Sequence, residues 1–578
     1  MKGSNYSINW GVEDQNTIKR IKGVLYLLKG DLSWARGEYT KSLKHFEKSL
    51  AIREELGNPH EIAEIITEIG WYHLRVANKL DSALDCFQRG LSLRETLGNK
   101  TDIANSLNVL GSCYQEMGNS EKALRYYQES LTLYEEVENR RQIANLYNNL
   151  TFTFIGNEEH ASARDYAQKH LAVRKELDQK DGLAAAYNLL GWLHLWTGEP
   201  DHAVKCLENA LVIHEEFLDQ PGLNFRLNGV GFAYLAKGEL EAALSHLERA
   251  LDLCKAEPEP DDIHVFILIN LAKTYSLKGE ADRALDTINK ALKVLEKVNH
   301  PLSLAWSLMQ KGIIYRTLGE LELALKFLEE GLMQFASLKD VKIRKAYTLS
   351  QTLLHLILVA QDLNAQEKAA KYLIQMRQIE QTSKSKHVRL RTRFAEALVL
   401  KMSKRGTKKL QAQKTFQEIV DDGIVEYDIT VLAMLNLCEL LILELKISEA
   451  EEEVLAEIAT LSNKLYEMAQ EQKAPLVIVL ALILQAKIVM VEGKLKEATE
   501  FLDNAIIIAE EKKLGNLLAK ARFEQEILEA ELEKWEELSQ RNAPIKERFQ
   551  QARFDDYLLE ALKLQETKIS PSVDMIGG

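Results

Sequence analysis

The sequence has few of the residues that break or crosslink a chain: nine prolines, twenty-nine glycines and five cysteines among 578 residues. No Pro/Gly/Ser-rich stretch marks a linker inside the chain. The cysteines are far apart and form no CxxC pair, which excludes the usual disulfide frameworks and zinc patterns. Cys86 and Cys206 hold equivalent positions of a repeat described below, so we expect small apolar packing residues in a reducing compartment.

Net positive charge and a targeting segment are also missing. Lys and Arg number 73 against 86 Asp and Glu, which gives a formal net charge of −13. We therefore expect no nucleic acid as the main partner, since nucleic-acid binding usually requires an excess of basic residues. The N-terminal segment MKGSNYSINWGVEDQ has no apolar core of a secretory signal, and we expect a cytoplasmic protein.

Long hydrophobic runs are scarce. The most apolar one, Pro475–Val491, is short for a membrane span and contains Gln485 and Lys487. It also fits the repeat register, because Gly493 and Ala498 follow it at the expected offsets. We expect a buried helix and no membrane insertion; a transmembrane helix is the alternative.

Catalytic motifs are absent from the sequence. It has no HExxH, no phosphate-binding Gly-rich loop, no Gly-x-Ser-x-Gly and no clustered Cys/His set. His170, His202 and His246 lie among charged residues of second helices, where a lone histidine is usually a solvated or packing residue. We therefore expect no enzyme, no cofactor and no metal site.

What the sequence does contain is a repeated helical hairpin, best seen in Ile103–Leu133. Leu107, Leu110 and Tyr114 recur at three- and four-residue steps and so share one helix face, and a second amphipathic stretch follows the turn at Gly118. Such a hairpin has apolar surface on more than one side, so it requires similar neighbours to bury that surface.

The hairpin recurs every 40 or 41 residues over most of the chain. A small residue marks the start of each second helix: Ser42, Ala83, Ala123, Ala163, Ala203, Ala243, Ala284 and Ala324. In most copies another small residue, usually Gly, stands about twelve residues before this mark, and an aromatic stands nine before it. A large residue stands four residues after the mark in most copies. Agreement of several residue types at one period indicates a repeat architecture.

This pattern resembles the tetratricopeptide repeat, and its longer period is similar to that of kinesin light chains and Pins-type scaffolds. The resemblance implies an all-α, right-handed α-solenoid (superhelix) of tandem helix hairpins with a C-terminal capping helix. We assign residues 1–16 to a flexible lead, 17–380 to nine repeats, 381–510 to three degenerate repeats, 511–565 to capping helices and 566–578 to a disordered tail. The degenerate repeats are placed on Ala412, Ala450 and Ala498. The cap is expected as one long helix, Leu514–Leu538, followed by Glu547–Gln565.

Polar and aromatic residues recur on one face of the first helices. Counted from the small residue of the first helix, the offsets −6, −3, +1 and +4 or +5 share this face. The resemblance implies that it lines a concave groove, and in kinesin light chains an Asn at the −3 offset holds the backbone of an extended peptide. A carboxamide can both donate and accept, and aromatics can anchor apolar side chains. The candidate groove residues are Asn105, Asn108, Asn145, Asn148, Asn188, Asn228, Trp71, Phe152, Trp192, Trp196, Phe232, Trp306, Arg75 and Arg316. The alternative is that these residues pack repeat against repeat.

A second candidate surface is basic. It comprises Lys384, Lys386, Arg389, Arg391, Arg393, Lys404, Arg405, Lys408 and Lys409. It could dock an acidic partner, or it could be an ordinary solvated helix and loop.

The sequence thus predicts a scaffold or adaptor that binds an extended peptide or short helix of a partner protein in its groove. The alternative is a regulatory sensor module, part of a signalling or transcription system, that binds a small molecule or signal peptide. Self-association through the C-terminal helices is left open.

Overall fold

A computed structural model describes residues 12–77, 79–157, 159–197, 199–217, 222–255, 261–278, 280–298, 300–338, 345–383, 385–423, 426–446, 451–512 and 514–554. Within these ranges the secondary structure is helical, with twenty-seven α-helices and no strand. Consecutive helices pair into hairpins, and each hairpin packs on the next within its unit. The predicted all-α solenoid of tandem hairpins is confirmed.

The chain divides into two compact units, residues 1–179 and 180–578. Unit 1 holds α1 Val12–Ala35, α2 Tyr39–Leu56, α3 Pro59–Arg75, α4 Leu80–Leu97, α5 Lys100–Glu116, α6 Ser120–Glu136, α7 Arg140–Gly156 and α8 His160–Glu176. Unit 2 begins with α9 Lys180–Trp196, α10 Pro200–Phe217, α11 Leu223–Lys237, α12 Leu240–Lys255, α13 Asp262–Leu277, α14 Ala281–Leu295, α15 Pro301–Thr317, α16 Leu321–Ser337, α17 Lys345–Asp362 and α18 Gln366–Thr382.

The remainder of unit 2 holds the degenerate repeats and the C-terminal helices. These are α19 Lys386–Lys401, α20 Gly406–Asp421, α21 Tyr427–Leu445, α22 Glu451–Glu471, α23 Pro475–Val491, α24 Leu495–Glu511, α25 Gly515–Ala530, α26 Leu532–Gln540 and α27 Ile545–Ala552. The odd-numbered helices up to α23 are the first helices of the hairpins, and the even-numbered ones up to α24 are the second.

A close contact between the two helices explains why the repeat marks occur together. A Cβ added to Gly111 of α5 would lie 2.6 Å from the ring of Tyr127, the large residue of α6. The equivalent distances are 2.4 Å for Gly30 against Phe46 and 2.6 Å for Gly231 against Leu247. The glycine therefore makes room for the large residue. All eight small residues that mark the second helices, from Ser42 to Ala324, are fully buried.

The glycines in the turns between the two helices have a different role. Gly118 has a φ of 72°, and Gly37, Gly238 and Gly319 also have positive φ. This left-handed conformation suits glycine at the end of a helix, because a side chain would strain it.

Several predicted boundaries are corrected by the structure. The lead overlaps α1, which begins at Val12, and residues 1–11 lie outside the described residues. Ala450 also lies outside them; the buried positions of α22 begin at Val454. The tail 566–578, and the second cap helix beyond Ala552, fall largely outside the described residues.

The predicted long helix Leu514–Leu538 is wrong: it breaks at Glu531 into α25 and α26. At the break, the Glu531 carboxylate accepts a hydrogen bond from Arg553 at 3.1 Å, just after α27. The bend therefore allows α27 to be tied back to the cap. Both α25 and α27 pack on α23, so the end of the solenoid is covered by several short helices.

The apolar run Pro475–Val491 forms α23 and is buried almost all round, as predicted. Lys487 lies in this core, where its Nζ donates to Glu524 at 2.6 Å and to the Ala552 carbonyl at 2.7 Å. None of the described helices combines the length and the apolar character that crossing a bilayer demands.

Candidate functional site

In unit 1, the candidate face of the first helices remains partly open. Trp71 of α3, Asn105 and Asn108 of α5, and Asn148 and Phe152 of α7 are half-buried. Arg75 is exposed, and its guanidinium lies 4.6 Å from the centre of the Trp71 ring. Each of the helices α3, α5 and α7 has one buried face and one accessible face, as amphipathic helices do. A ligand could therefore reach these side chains without a rearrangement.

Two polar bridges join neighbouring first helices along this face. Asn149 Nδ2 of α7 donates to Asn108 Oδ1 of α5 at 2.9 Å. Thr153 Oγ1 donates to Gln115 Oε1 at 3.0 Å. Asn108 therefore has the packing role that the sequence left open, and it lies at the accessible surface as well.

The asparagines at the −6 offset form hydrogen bonds within their own hairpins. Asn105 accepts from the Tyr134 hydroxyl, and Asn145 accepts from the Arg174 guanidinium. Asn145 Nδ2 also donates to Gln142 Oε1 at 2.9 Å. These bonds hold the amides in fixed positions. Asn105 and Asn145 are therefore less free than the other asparagines to reorient toward a ligand.

The α3 end of the same face is charged. Burial raises the pKa of Glu68, and the neighbouring carboxylates Asp31 and Glu64 raise it further, against the opposing effect of Arg75 and Arg94. Arg94 of α4 donates to Ser106 Oγ of α5 at 2.7 Å. This part of the face is therefore an ionic network, whereas the α5–α7 part is neutral.

In unit 2, the equivalent residues are buried. Each of them is at most 9% exposed: Asn188, Trp192, Trp196, Asn228, Phe232, Trp306 and Arg316. Several first helices there are buried nearly all round; α13, for example, is buried from Val265 to Leu277 and packs on α11, α12, α14 and α15. These side chains are consequently closed to a protein ligand in this conformation.

An amide bridge of the same kind recurs in this buried setting. Asn270 Nδ2 of α13 donates to Asn228 Oδ1 of α11 at 2.9 Å. For Asn188, the register position that could supply the matching amide is Gly229. The Asn188 Oδ1 atom is accordingly buried without a hydrogen-bond partner.

Two indole nitrogens continue this row along α9. Trp192 Nε1 and Trp196 Nε1 are also buried without a partner, and the three residues are spaced by four, which places them on one face. The Trp192 ring stacks on Phe232 with 5.7 Å between centroids. Buried polar atoms without partners are uncommon and require an explanation such as a ligand or water.

The other candidates of unit 2 have structural partners. Trp306 packs edge-on against Phe335 at 5.4 Å. Arg316 Nε donates to Asp362 Oδ2 at 2.6 Å in a buried ion pair between α15 and α17. Arg316 therefore links two repeats, and this buried ion pair removes it from the residues that a groove ligand could reach.

The predicted basic surface is wrong at its centre, because Arg391 is fully buried. Its guanidinium lies 3.9 Å from the Tyr347 ring centre, and Nη2 donates to Glu426 Oε1 at 2.6 Å. Burial alone would raise the pKa of Glu426, but Arg391 and His387 outweigh it and hold the value at about 2.

The remaining basic residues differ in their exposure and in their partners. Arg393 Nη1 pairs with Asp422, and Lys384 lies outside the described residues. Lys409 is half-buried, whereas the side chains of Lys386, Arg389, Lys404, Arg405 and Lys408 are exposed.

Two features of unit 2 were not predicted. First, residues distant in sequence meet: the Asp201 carboxylate accepts from Lys237 and from Lys473, both at 3.3 Å, and Gly238 packs on Leu476. Second, His194, Glu199 and His202 converge around the α9–α10 turn. The sequence signal for the second is the spacing H-x4-E-x2-H, which spans a helix turn and matches none of the motifs named above.

Stacked hairpins with an accessible face on their first helices define a repeat module of the kind that generally serves in protein interactions. The family models agree: a MalT-like TPR region matches residues 13–294, and a tetratricopeptide repeat model matches residues 267–332. The chain belongs to the tetratricopeptide-repeat superfamily. No curated protein sequence matches it.

Many solved structures share the fold. Yeast Tom70 is 12% identical, with a TM-score of 0.38, over 81% of this chain and 96% of that one. The human IFIT1 dimer with m7Gppp-AAAA is 16% identical, with a TM-score of 0.43, over 77% and 90%. A signal-transduction ATPase (STAND) with a tetratricopeptide repeat sensor, from Pyrococcus horikoshii, is 17% identical, with a TM-score of 0.42, over 61% and 52%. These similarities concern the fold alone. The expectation that nucleic acid is not a partner therefore stays a prediction.

Proposed function

We propose that this protein is a non-enzymatic adaptor whose unit 1 binds an extended segment of a partner protein. The observation that carries the proposal is the half-exposed face formed by Trp71, Asn108, Asn148 and Phe152. It combines amides and rings on three first helices, and these positions are accessible beside buried ones such as Leu110 and Leu150.

The roles follow from side-chain chemistry. The Asn148 carboxamide can accept from a peptide N–H and donate to a peptide C=O, whatever the partner's sequence. Phe152 and Trp71 would contact apolar side chains, since aromatic residues dominate binding energy at interfaces. Asn108, tied to Asn149, would hold the distance between α5 and α7 constant.

A pulldown from the native cell tests this proposal. The double variant Asn148→Ala/Phe152→Ala should lose most of a partner that the wild-type chain retains. Gln128→Ala is the matched control, because Gln128 is exposed on the second helix α6 of the same unit. Equal recovery by wild type, double variant and control would rule the face out. Recovery that disappears after ribonuclease treatment would indicate nucleic acid instead of a protein.

A second candidate function, a small-molecule sensor, is favoured by the buried row in unit 2. Asn188 Oδ1, Trp192 Nε1 and Trp196 Nε1 would offer a ligand one acceptor and two donors beside aromatic rings. Buried polar atoms of this kind bind polar groups strongly when the bond is completed.

Thermal-shift screening against metabolites tests the sensor function. A true ligand should raise the melting temperature of the wild type, and Trp196→Phe should reduce the shift, since it removes the N–H and keeps a ring. Trp535→Phe is the control, because Trp535 Nε1 is also buried without a partner but lies in α26. A shift that both variants keep would exclude this row.

A further inference from the structure

Three potential metal ligands meet where α9 turns into α10. His194 Nδ1 lies 2.8 Å from Glu199 Oε2, and His202 Nδ1 lies 3.8 Å from the same oxygen. The two imidazole rings stack with 5.2 Å between centroids, and the three ligand atoms lie within 4.8 Å of one another. Among the residues that the structure describes, this is the one group of three histidine, cysteine or carboxylate side chains with such an arrangement.

The local backbone fixes these three residues together. His194 lies in the last turn of α9, and its carbonyl accepts from the Glu199 N–H at 2.8 Å. The Glu199 carbonyl in turn accepts from the Ala203 N–H at 3.1 Å, which orients the first turn of α10 that carries His202. The arrangement therefore depends on one hairpin turn and requires no distant element.

The surroundings suit a bound ion. Thr197 Oγ1 donates to the second carboxylate oxygen, Glu199 Oε1, at 3.3 Å, and outer-shell bonds of this type orient ligating carboxylates. His194 is largely buried, whereas 63% of the His202 side chain is exposed. An ion could therefore enter from solvent beside His202 and keep a water molecule as a further ligand.

We propose that His194, Glu199 and His202 bind one divalent transition-metal ion, with Zn²⁺ as the reference ion. Two imidazole nitrogens and one carboxylate oxygen are a ligand set that suits Zn²⁺, Ni²⁺ or Cu²⁺ and not Mg²⁺ or Ca²⁺, which favour oxygen ligands. Binding requires both Nδ1 atoms unprotonated, so the contact between His194 Nδ1 and Glu199 would be replaced by metal–ligand bonds. The site is independent of the face proposed for unit 1.

The test is Zn²⁺ titration of the full-length, tag-free chain by calorimetry, with visible absorption of the Co²⁺-loaded protein as the second readout. The wild type should bind one ion with saturation, and Co²⁺ should show the intense d–d bands of a low-coordinate site. His202→Ala should weaken Zn²⁺ binding by about 100-fold or more, since changes in the outer shell alone typically cost about 10- to 100-fold. Mg²⁺ should not compete.

Two further variants separate a metal site from a simple hydrogen bond. Glu199→Gln keeps a hydrogen-bonding group beside His194 and removes the carboxylate ligand, so it should weaken Zn²⁺ binding and leave the melting temperature of the metal-free chain unchanged. His246→Ala is the control and should bind Zn²⁺ as the wild type does, because His246 of α12 stacks on Tyr234 of α11 and is not one of the proposed ligands. The proposal is overturned if the wild type shows no saturable binding, or if His202→Ala binds as tightly as the wild type.

Discussion

The two units place the same register positions in opposite environments. Asn108 in unit 1 and Asn228 in unit 2 both accept from an asparagine of the following first helix, each at 2.9 Å. Asn108 is half-exposed, whereas Asn228 is 1% exposed. The same side-chain bond thus lies beside a surface that a partner can reach in one unit and inside the core in the other.

The neighbouring residues account for this difference. In unit 1, α5 and α7 keep polar residues such as Asn105 and Asn145 on their free side. In unit 2, α13, α17 and α23 are apolar nearly all round and are covered accordingly. A repeat mark therefore fixes where a residue lies on its helix, and the composition of adjacent helices decides whether solvent reaches it.

The degenerate repeats of unit 2 also contain buried ion pairs. Arg391 with Glu426 and Lys487 with Glu524 lie where the glycine and aromatic marks have faded. Such pairs are costly to desolvate, so they specify which helices meet more than they add net stability.

The largest effect should come from breaking one of these pairs. Arg391→Met leaves the buried Glu426 without its main cationic partner and should lower the free energy of unfolding by about 3–5 kcal/mol. Arg389→Met, on the exposed side of the same helix, should change it by no more than about 0.5 kcal/mol. Urea unfolding, with hydrogen exchange in α19 and α21, measures both, and similar losses would contradict the buried pair.

A smaller effect, confined to unit 1, should follow a fall in pH. Burial first, and then the Arg174 cation, lower the pKa of His170 to about 4. Arg174 Nε donates to His170 Nε2 at 3.2 Å, which requires the neutral imidazole. Because the unfolded value is about 6.5, the stabilisation is complete above that pH and is lost as pH falls toward 4.

Between pH 7 and pH 5, the titration of His170 should lower the free energy of unfolding by about 2 kcal/mol. His170→Gln should remove that dependence, while His60→Gln, at an exposed position, should keep it. Hydrogen exchange in α8, corrected for the intrinsic rate, is the measurement. An unchanged pH dependence in His170→Gln would contradict the assignment.

The last prediction compares the two amide bridges directly, and its smaller arm is the smallest effect expected. Asn228→Ala leaves the Asn270 amide without its bond in a buried site, and should cost about 1–3 kcal/mol. Asn108→Ala should cost less than about 1 kcal/mol, because water can replace the lost bond at a half-exposed site. Local hydrogen exchange in α11 and α5 tests this, and equal losses would mean that the two environments do not differ as described.

The period alone predicted the hairpins and the shared face, because glycine–ring packing such as Gly111 on Tyr127 depends on residues only sixteen positions apart. Burial of that face depends on neighbouring helices, so the sequence pattern could not separate Asn148 from Asn228. Arg391 was missed for a related reason: it was counted in a basic run, although Val388 and Ala395, three and four residues away, place it on the buried face.

Long-range contacts were beyond the reach of the pattern. Asp201 and Lys473 are 272 positions apart, and nothing in the repeat register links them. The bond between Glu531, at the break in the cap, and Arg553 likewise joins residues that the repeat register does not relate.

The most direct test of the central claim is photo-crosslinking from the α7 face. A photoreactive amino acid placed at Asn148 should capture a defined segment of a partner protein in the native cell, and the same amino acid at Gln128 should not capture that segment. Capture of the same segment from both positions, or only from Gln128, would contradict the proposal that the half-exposed face of unit 1 binds the partner.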